Sequence, residues 1–332
     1  MIITRTPFRI SFFGGGTDYP PWFKENGGSV LSTAIDKYCY ISCRQLPPFF
    51  EHKYRIVYSK IENVQQISEI QHPPVRAILD WLRCEDGLEI HHDGDLPARS
   101  GLGSSSAFTV GLLNAINALR GQYITDEQLA RDAIYIEQDV LKENVGCQDQ
   151  IAAAFGGFNR IQFLTDGSFK VTPVILPRAR IERLEQHLML FFTGISRFAS
   201  EVAKAKIDNL SSRQTELKRM EEMVLEALAI LSRQNEGLDD FGRLLDESWQ
   251  YKRSLSNKVS NSTIDDIYTQ AKRAGALGGK LLGAGGGGFM VFFVQPEQRD
   301  RLREQLRNLI HVPFHFEQAG SRVVLFQPNG LK

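Results

Sequence analysis

The chain has 332 residues, with 39 Lys and Arg against 39 Asp and Glu, so its formal net charge is zero. That balance argues against a protein that coats nucleic acid, which carries a clear basic excess, and no apolar stretch reaches the ~20 residues that span a bilayer. Hydrophobic residues at 42% and charged residues at 23% are ordinary for a globular chain, and a length divided by ~150 residues per domain predicts two domains.

The N-terminal stretch 1–13 lacks the apolar region and small-residue cleavage site of a signal peptide, which predicts a cytoplasmic protein. Cys39, Cys43, Cys84 and Cys147 show no CxxC or zinc-like spacing and read as thiols in a reducing compartment. Residues 2–13 and 28–46 carry β-branched and aromatic residues in partial alternation and predict strands, with shorter ones at 53–58 and 88–92. Residues 74–84 predict a helix with Pro74 in its first turn.

Residues 105–119 predict a helix that directly follows a glycine-rich turn. A second helix is predicted over 126–143, opened by a capping box from Thr125 to Gln128 and striped by Leu129, Ala133, Ile136 and Val140. Strands are predicted near 157–164, 171–176 and 188–193. Residues 199–234 predict one long amphipathic helix with Leu217, Met220, Val224, Leu228 and Leu231 on a single face, a pattern too short for a coiled coil. Helices near 238–256, 263–275 and 296–309, with strands near 288–295 and 321–327, complete an α+β pattern. A boundary falls near residue 185, where Pro177 and the charged stretch 178–186 separate strands, dividing the chain into 1–185 and 186–332.

Three glycine clusters interrupt these elements. In the first, a strand containing Arg9 runs into Gly14-Gly15-Gly16-Thr17-Asp18. Glycines let the backbone approach a ligand closely, and Asp18 can accept hydroxyl hydrogens; a tight turn capped by that Asp explains the pattern equally well. The second runs from Pro97 through Arg99, Ser100, Gly101, Leu102, Gly103, Ser104 and Ser105 to Ser106 and ends where a helix begins. Unpaired amides at a helix N-terminus bind anions. No lysine follows the last glycine, so this is not a Walker A loop. The third is Gly283-Ala284-Gly285-Gly286-Gly287-Gly288, too glycine-rich for any regular element. Between the second and third stand two carboxylates. Glu137 lies mid-helix beside an apolar stripe, and Asp149 lies between polar amides and an apolar run, as a cap or as a base.

The order of these clusters along the whole chain resembles the GHMP kinases. The GGGTDY form of the first cluster is most similar to the family's kinases of D-glycero-D-manno-heptose 7-phosphate. The resemblance implies an N-terminal α+β domain containing a left-handed βαβ unit, a C-terminal ferredoxin-like domain, and an active site in the cleft between them. It implies ATP as donor, with Pro97 and Arg99–Ser106 around its phosphates. Mg²⁺ would be held by Ser105 (Ser104 as the fallback) and Glu137. Asp149 would orient or deprotonate the sugar hydroxyl, with Arg9 beside it holding it ionised and lending positive charge.

Gly15, Gly16, Thr17 and Asp18, with Gly285, Gly286 and Gly287, would shape the substrate site. A phosphorylated sugar also needs a cationic contact, for which Arg197, Lys252 and Lys258 are the candidates. The implied reaction is phosphorylation of the 1-hydroxyl of D-glycero-α-D-manno-heptose 7-phosphate to the 1,7-bisphosphate, on the route to a nucleotide-activated heptose. Its alternatives are a kinase of a neutral sugar such as fucose, or a silent member that only binds sugar. The expected partners are small molecules, with neither nucleic acid nor membrane, and a monomeric or homodimeric state.

Overall fold

The opening run of β-branched and aromatic residues forms one long strand in a computed structural model of the chain, which describes residues 1–98, 100–195, 199–233 and 236–328. The elements of the first half are β1 (Ile2–Phe13), α1 (Pro20–Asn26), β2 (Gly28–Gln45), β3 (Tyr54–Val57), β4 (Ile61–Val64), α2 (Pro73–Trp81), β5 (Leu88–Gly94), α3 (Ser104–Leu119), α4 (Asp126–Tyr135), α5 (Gln148–Phe155), β6 (Phe158–Phe163) and β7 (Phe169–Pro173). Those of the second half are α6 (Arg178–His187), β8 (Leu188–Phe192), α7 (Ala199–Ile207), α8 (Gln214–Ser232), α9 (Asp239–Ser254), α10 (Ser262–Arg273), β9 (Ala276–Leu281), β10 (Phe289–Val294), α11 (Arg299–Gln305), β11 (Ile310–Val312), β12 (Phe316–Glu317) and β13 (Arg322–Phe326).

Among the described residues these strands build two sheets. The larger runs β13-β1-β2-β5-β3-β4, with β6 and β12 also on β2 and β7 on β6. The 18-residue β2 can serve so many partners because its first half pairs with β6 and its second half with β5, while β1 runs antiparallel along it. β3 and β5 are parallel, joined through β4 and α2. The second sheet has the order β11-β8-β10-β9, all antiparallel. In chain order that is fourth, first, third, second, the ferredoxin-like arrangement. Every residue of β10 is buried, and each large apolar side chain taken out of water contributes roughly 1.5–3 kcal/mol. The two halves share a core: the Phe241 ring of α9 lies edge-on to Phe12 and Phe13 of β1, with centroids 5.5 and 5.1 Å apart.

Several boundaries differ from the sequence reading. The charged stretch 178–186 is not a separator but the helix α6. Its buried Arg180 donates to the carbonyls of Ile230, Leu231 and Glu236, closing the C-terminal end of α8. The long helix expected over 199–234 breaks after Ile207. There Asn209 turns its side-chain amide to the Leu255 carbonyl and Ser212 bonds back to Asn209, the local competition that such side chains offer a helix. The last strands, β12 and β13, return to the first sheet by pairing with β2 and β1, which a single cut at residue 185 does not describe. Thr125 does cap α4, accepting from the Gln128 amide at 3.1 Å, but the helix expected to 143 changes to a single π-helical turn over 136–140. Such turns occur mostly at functional positions, and this one carries Glu137.

Candidate active site

Arg9 enters the site from β1, 2% exposed. Its Nε and Nη2 donate to Oδ1 and Oδ2 of Asp149 at 2.8 and 2.7 Å, and its Nη1 donates to the Gly101 carbonyl at 2.8 Å. Asp149 sits in the first turn of α5 with its side chain 28% exposed, so the carboxylate is held from one side and open on the other. The Arg9 amide donates to the Leu102 carbonyl, which fixes the second glycine cluster against the strand that leads into the first.

That second cluster ends in Gly103, at φ +77°, and its Cα lies where a Cβ would come within 3.6 Å of the Asp149 carboxylate. Helix α3 starts at Ser104 with no side-chain cap on its N-terminus. A helix N-terminus without a side-chain cap can present first-turn amides such as those of Ser105 and Ser106 to an anion at the Asp149 end of the cleft. Ser106, not Ser105, is the hydroxyl that meets Glu137: its Oγ donates to Oε2 at 2.9 Å. Ser105 is exposed. The reason is helical geometry, since consecutive side chains point about 100° apart, and only 106 faces the π-helical turn. Gln150 donates to the same Oε2 at 2.5 Å. Glu137 is 1% exposed; its Oε1 makes no well-formed hydrogen bond, though the Thr109 hydroxyl also lies near enough to the carboxylate to favour its ionised form. Burial pushes its carboxyl up to about 7 against the hydrogen bonds that favour ionisation.

The third cluster closes over the second. The Phe289 amide donates to the Ser100 carbonyl at 3.0 Å, and a Cβ at Gly288 would lie 2.1 Å from that carbonyl oxygen. Gly286 and Gly288 in turn donate to the carbonyls of Val259 and Ile195. Cβ atoms at Gly285 and Gly287 would likewise fall 2.8 and 2.6 Å from those two residues. These glycines are close backbone approaches rather than a slack hinge.

Residues 72–157 match the GHMP kinases N terminal domain, and residues 224–311 match GHMP kinases C terminal. The chain is 31% identical over 322 residues to a D-glycero-alpha-D-manno-heptose 7-phosphate kinase of Campylobacter jejuni, covering 92% of this chain and 93% of that one. The chain belongs to the GHMP kinase family. It is also 26% identical to a bifunctional fucokinase/GDP-fucose pyrophosphorylase of Arabidopsis thaliana, covering 90% of this chain and 30% of that protein. The crystal structure of a D-glycero-D-manno-heptose 1-phosphate kinase from Bacteroides thetaiotaomicron superposes with a TM-score of 0.81 at 25% identity, covering 98% of this chain and all of that one.

This GHMP kinase is thus a sugar kinase, an ATP-dependent phosphotransferase with an alcohol acceptor. No helix among its described residues is long and apolar enough to cross a membrane. A groove of about 1230 Å³ lined by Leu176, Ile181, Glu185 and Phe314 shares no residue with the Arg9–Asp149 site.

The first glycine cluster of this GHMP kinase puts Asp18, 4% exposed, directly under the loop before α5. Its Oδ1 accepts from the Gly16 amide at 2.9 Å, its carbonyl accepts from Cys147, and a Cβ on Gly146 would collide with Oδ2. The structure thus shows Asp18 capping its own turn. Burial raises the Asp18 carboxyl, with Asp149 adding to the rise and Lys206 opposing it. Thr17 is fully buried and donates to the carbonyls of Gly14 and Ser29, which makes it a brace of the turn rather than a free ligand. Ser11 and Gln148 bond across Gly15 at 2.8 Å.

The expected cations fare differently. Lys252 is 5% exposed, and its Nζ donates to the carbonyls of Leu281 and Gly283 at 2.6 and 2.7 Å. Two of its three protons thus tether the third cluster instead of standing free, a correction to its reading as a phosphate contact. Lys258 is exposed. Pro97 is exposed as well, whereas Leu102 is fully buried and can only contribute backbone. Arg99 and Arg197 lie outside the described residues.

Two buried lysines were missed. Lys280 of β9, 2% exposed, donates to the Phe12 carbonyl at 2.7 Å and so ties the second sheet to β1. Lys206 of α7 is 5% exposed. Burial pulls Lys280 down to about 7 and Lys206 to about 8. Nothing in the local pattern marks either one: a lysine in a charged helix or beside a glycine run reads as surface until the fold closes over it. A ring cluster beside the second glycine loop was missed too. His72 and His92 lie 4.8 and 5.0 Å from the Phe108 ring of α3, and Tyr58 lies 4.7 Å from His72.

Proposed function

We propose that the protein phosphorylates the 1-hydroxyl of D-glycero-α-D-manno-heptose 7-phosphate, giving the 1,7-bisphosphate on the route to a nucleotide-activated heptose. The observation that carries this reading is the Arg9–Asp149 pair placed within reach of the α3 N-terminus. The 31% identity to a heptose 7-phosphate kinase over nearly the whole chain supports the choice of sugar. We further read the site as a cleft between a unit of residues 1–185, whose sheet β12 and β13 rejoin, and one built from the rest of 186–332.

Asp149 accepts the hydrogen of the attacking hydroxyl on its open side, while Arg9 fixes the carboxylate's orientation. Amides of Ser104–Ser106 and the Ser100–Gly103 loop hold the donor phosphates. Phosphoryl transfer passes through a loose transition state, so alignment and charge stabilisation supply most of the rate. The Tyr58, His72 and His92 rings, clustered edge-to-face and tilted around Phe108, offer aromatic contacts for the nucleobase of ATP.

Mg²⁺ suits this donor set. It needs one or two carboxylates plus substrate phosphates rather than an all-protein cage, and Glu137 keeps a buried Oε1 with no well-formed hydrogen bond beside the Ser106 hydroxyl. Glu137, with Ser106 or Ser105, would hold the ion, which when bound neutralises charge on the phosphates. Ser106 and Gln150 orient the carboxylate for that task.

A coupled ADP-release assay with Mg-ATP tests the reading across heptose 7-phosphate, fucose, galactose, mannose and mevalonate. Turnover dominated by the heptose phosphate is expected; preference for a neutral sugar overturns the substrate and leaves the kinase chemistry standing.

A further inference from the structure

We propose that Lys206 is the residue that receives the substrate's own phosphate, the anionic group remote from the reacting hydroxyl. The proposal rests on the heptose phosphate reading above and adds the side chain that would recognise it.

Four cations, Arg9, Lys206, Lys252 and Lys280, and two carboxylates, Asp18 and Asp149, lie within each other's fields at this end of the cleft. Three of the cations are committed. Arg9 spends its guanidinium on Asp149 and Gly101, Lys252 spends two protons on the third cluster, and Lys280 binds the Phe12 carbonyl. Lys206 alone among them makes no hydrogen bond or ion pair with any described residue, although it is nearly buried. An ammonium with donors not bound to any of these residues can take an anion as its partner.

The location fits a substrate contact. Helix α7 is followed at once by the turn Leu210–Ser212, which packs on α1 directly after the first glycine cluster. The next helix presses Leu217 to within 3.1 Å of where a Gly16 Cβ would stand. From this separate element the Lys206 charge acts on both Asp18 and Asp149. A neutral sugar would leave the cationic excess uncompensated, whereas a phosphomonoester close to a dianion matches it. A lysine serves here as a point charge with rotatable donors, and its charged form is favoured once the anion arrives.

The test compares wild type, Lys206→Met and Lys206→Arg in steady-state kinetics with heptose 7-phosphate, with the same heptose lacking the phosphate, and with varied ATP. Lys206→Met is expected to raise KM for the phosphorylated sugar about ten-fold or more relative to the unphosphorylated one, with KM for ATP moving less than about two-fold. Lys206→Arg should recover most of that loss. Equal losses on the two sugars would overturn the proposal and make Lys206 a support for the acid pair.

The substrate reading fails separately, if wild type itself prefers the unphosphorylated sugar. Melting curves with inorganic phosphate, in saturating ADP, then decide for Lys206. A phosphate-dependent rise present in wild type and absent in Lys206→Met upholds the anion site, and a rise of the same size in both removes it.

Discussion

The Asp149 carboxylate is gripped at both oxygens by Arg9, at 2.8 and 2.7 Å, while the same guanidinium holds the Gly101 carbonyl. One side chain therefore sets the distance between the Asp149 carboxylate and the second glycine loop. Asp149→Asn keeps the shape but loses the proton acceptor and the two-point pair. Its kcat should fall by about 10²–10⁴, with KM for ATP nearly unchanged. Single-turnover kinetics would check this, and a nearly wild-type rate would shift the mechanism to alignment alone. Arg9→Lys should be almost as damaging, because an ammonium cannot reproduce the planar fork.

Glu137 predicts a pH signature. Its folded carboxyl titrates near 7, above its ordinary value of 4.5. The folded protein therefore holds a proton that the unfolded chain has released. This group's contribution to stability is greatest below about 4.5 and is lost as pH rises through about 7. In the absence of metal, wild type should melt higher at pH 6 than at pH 8, and Glu137→Gln should flatten that difference. Mg²⁺ binding needs the ionised form, so its apparent affinity should rise across the same interval. Titration calorimetry with Mg-ADP at pH 6 and 8 would show it, and equal affinities would remove Glu137 from the metal site.

The two serines can be told apart. Ser106→Ala removes one of the hydrogen bonds that favour an ionised Glu137. It should push the midpoint of Mg²⁺-dependent activity to higher pH by a few tenths of a unit or more. Ser105→Ala, at an exposed position, should leave that midpoint in place. An identical shift in both variants would contradict the pairing seen here.

Gly288→Ala should be among the most destabilising single substitutions in the chain. Its φ is +102° and the added Cβ would meet the Ser100 carbonyl oxygen at 2.1 Å. Relief requires the third cluster to back away from the second, breaking the Phe289–Ser100 bond. A loss of about 2 kcal/mol or more in urea unfolding is expected, together with a raised KM for ATP. Gly121→Ala supplies the contrast, because no atom lies within 4 Å of its added Cβ; there only the positive φ is strained.

Long patterned elements and the punctuation between them were legible in the sequence. β1, β2, α3 and β10 stand close to their expected places, since period and propensity over many residues outweigh local noise. Shorter elements were not. β9 contains Gly278 and Gly279, poor strand formers whose lack of side chains admits Gly242 of α9 and Phe292. Its strand character exists only because β10 pairs with it. The charged stretch 178–186, expected to separate strands, is a helix whose Arg180 found two carbonyls on α8 and that of Glu236 beyond it, a tertiary reward that no local rule contains.

The sequence by itself determined the family and its class as a kinase, through three glycine clusters in order, and it singled out an arginine in the first strand and the acids Glu137 and Asp149. Those are local because loops that must approach a phosphate are written in consecutive residues. Which serine faces Glu137 and which buried lysines are tethered to main-chain carbonyls were decided only by the tertiary structure. Those answers depend on helix phase and on groups far apart in the chain meeting in a buried space, as Lys280 meets Phe12. Burial then sets the charge of each group by removing its water, and burial belongs to the assembled fold.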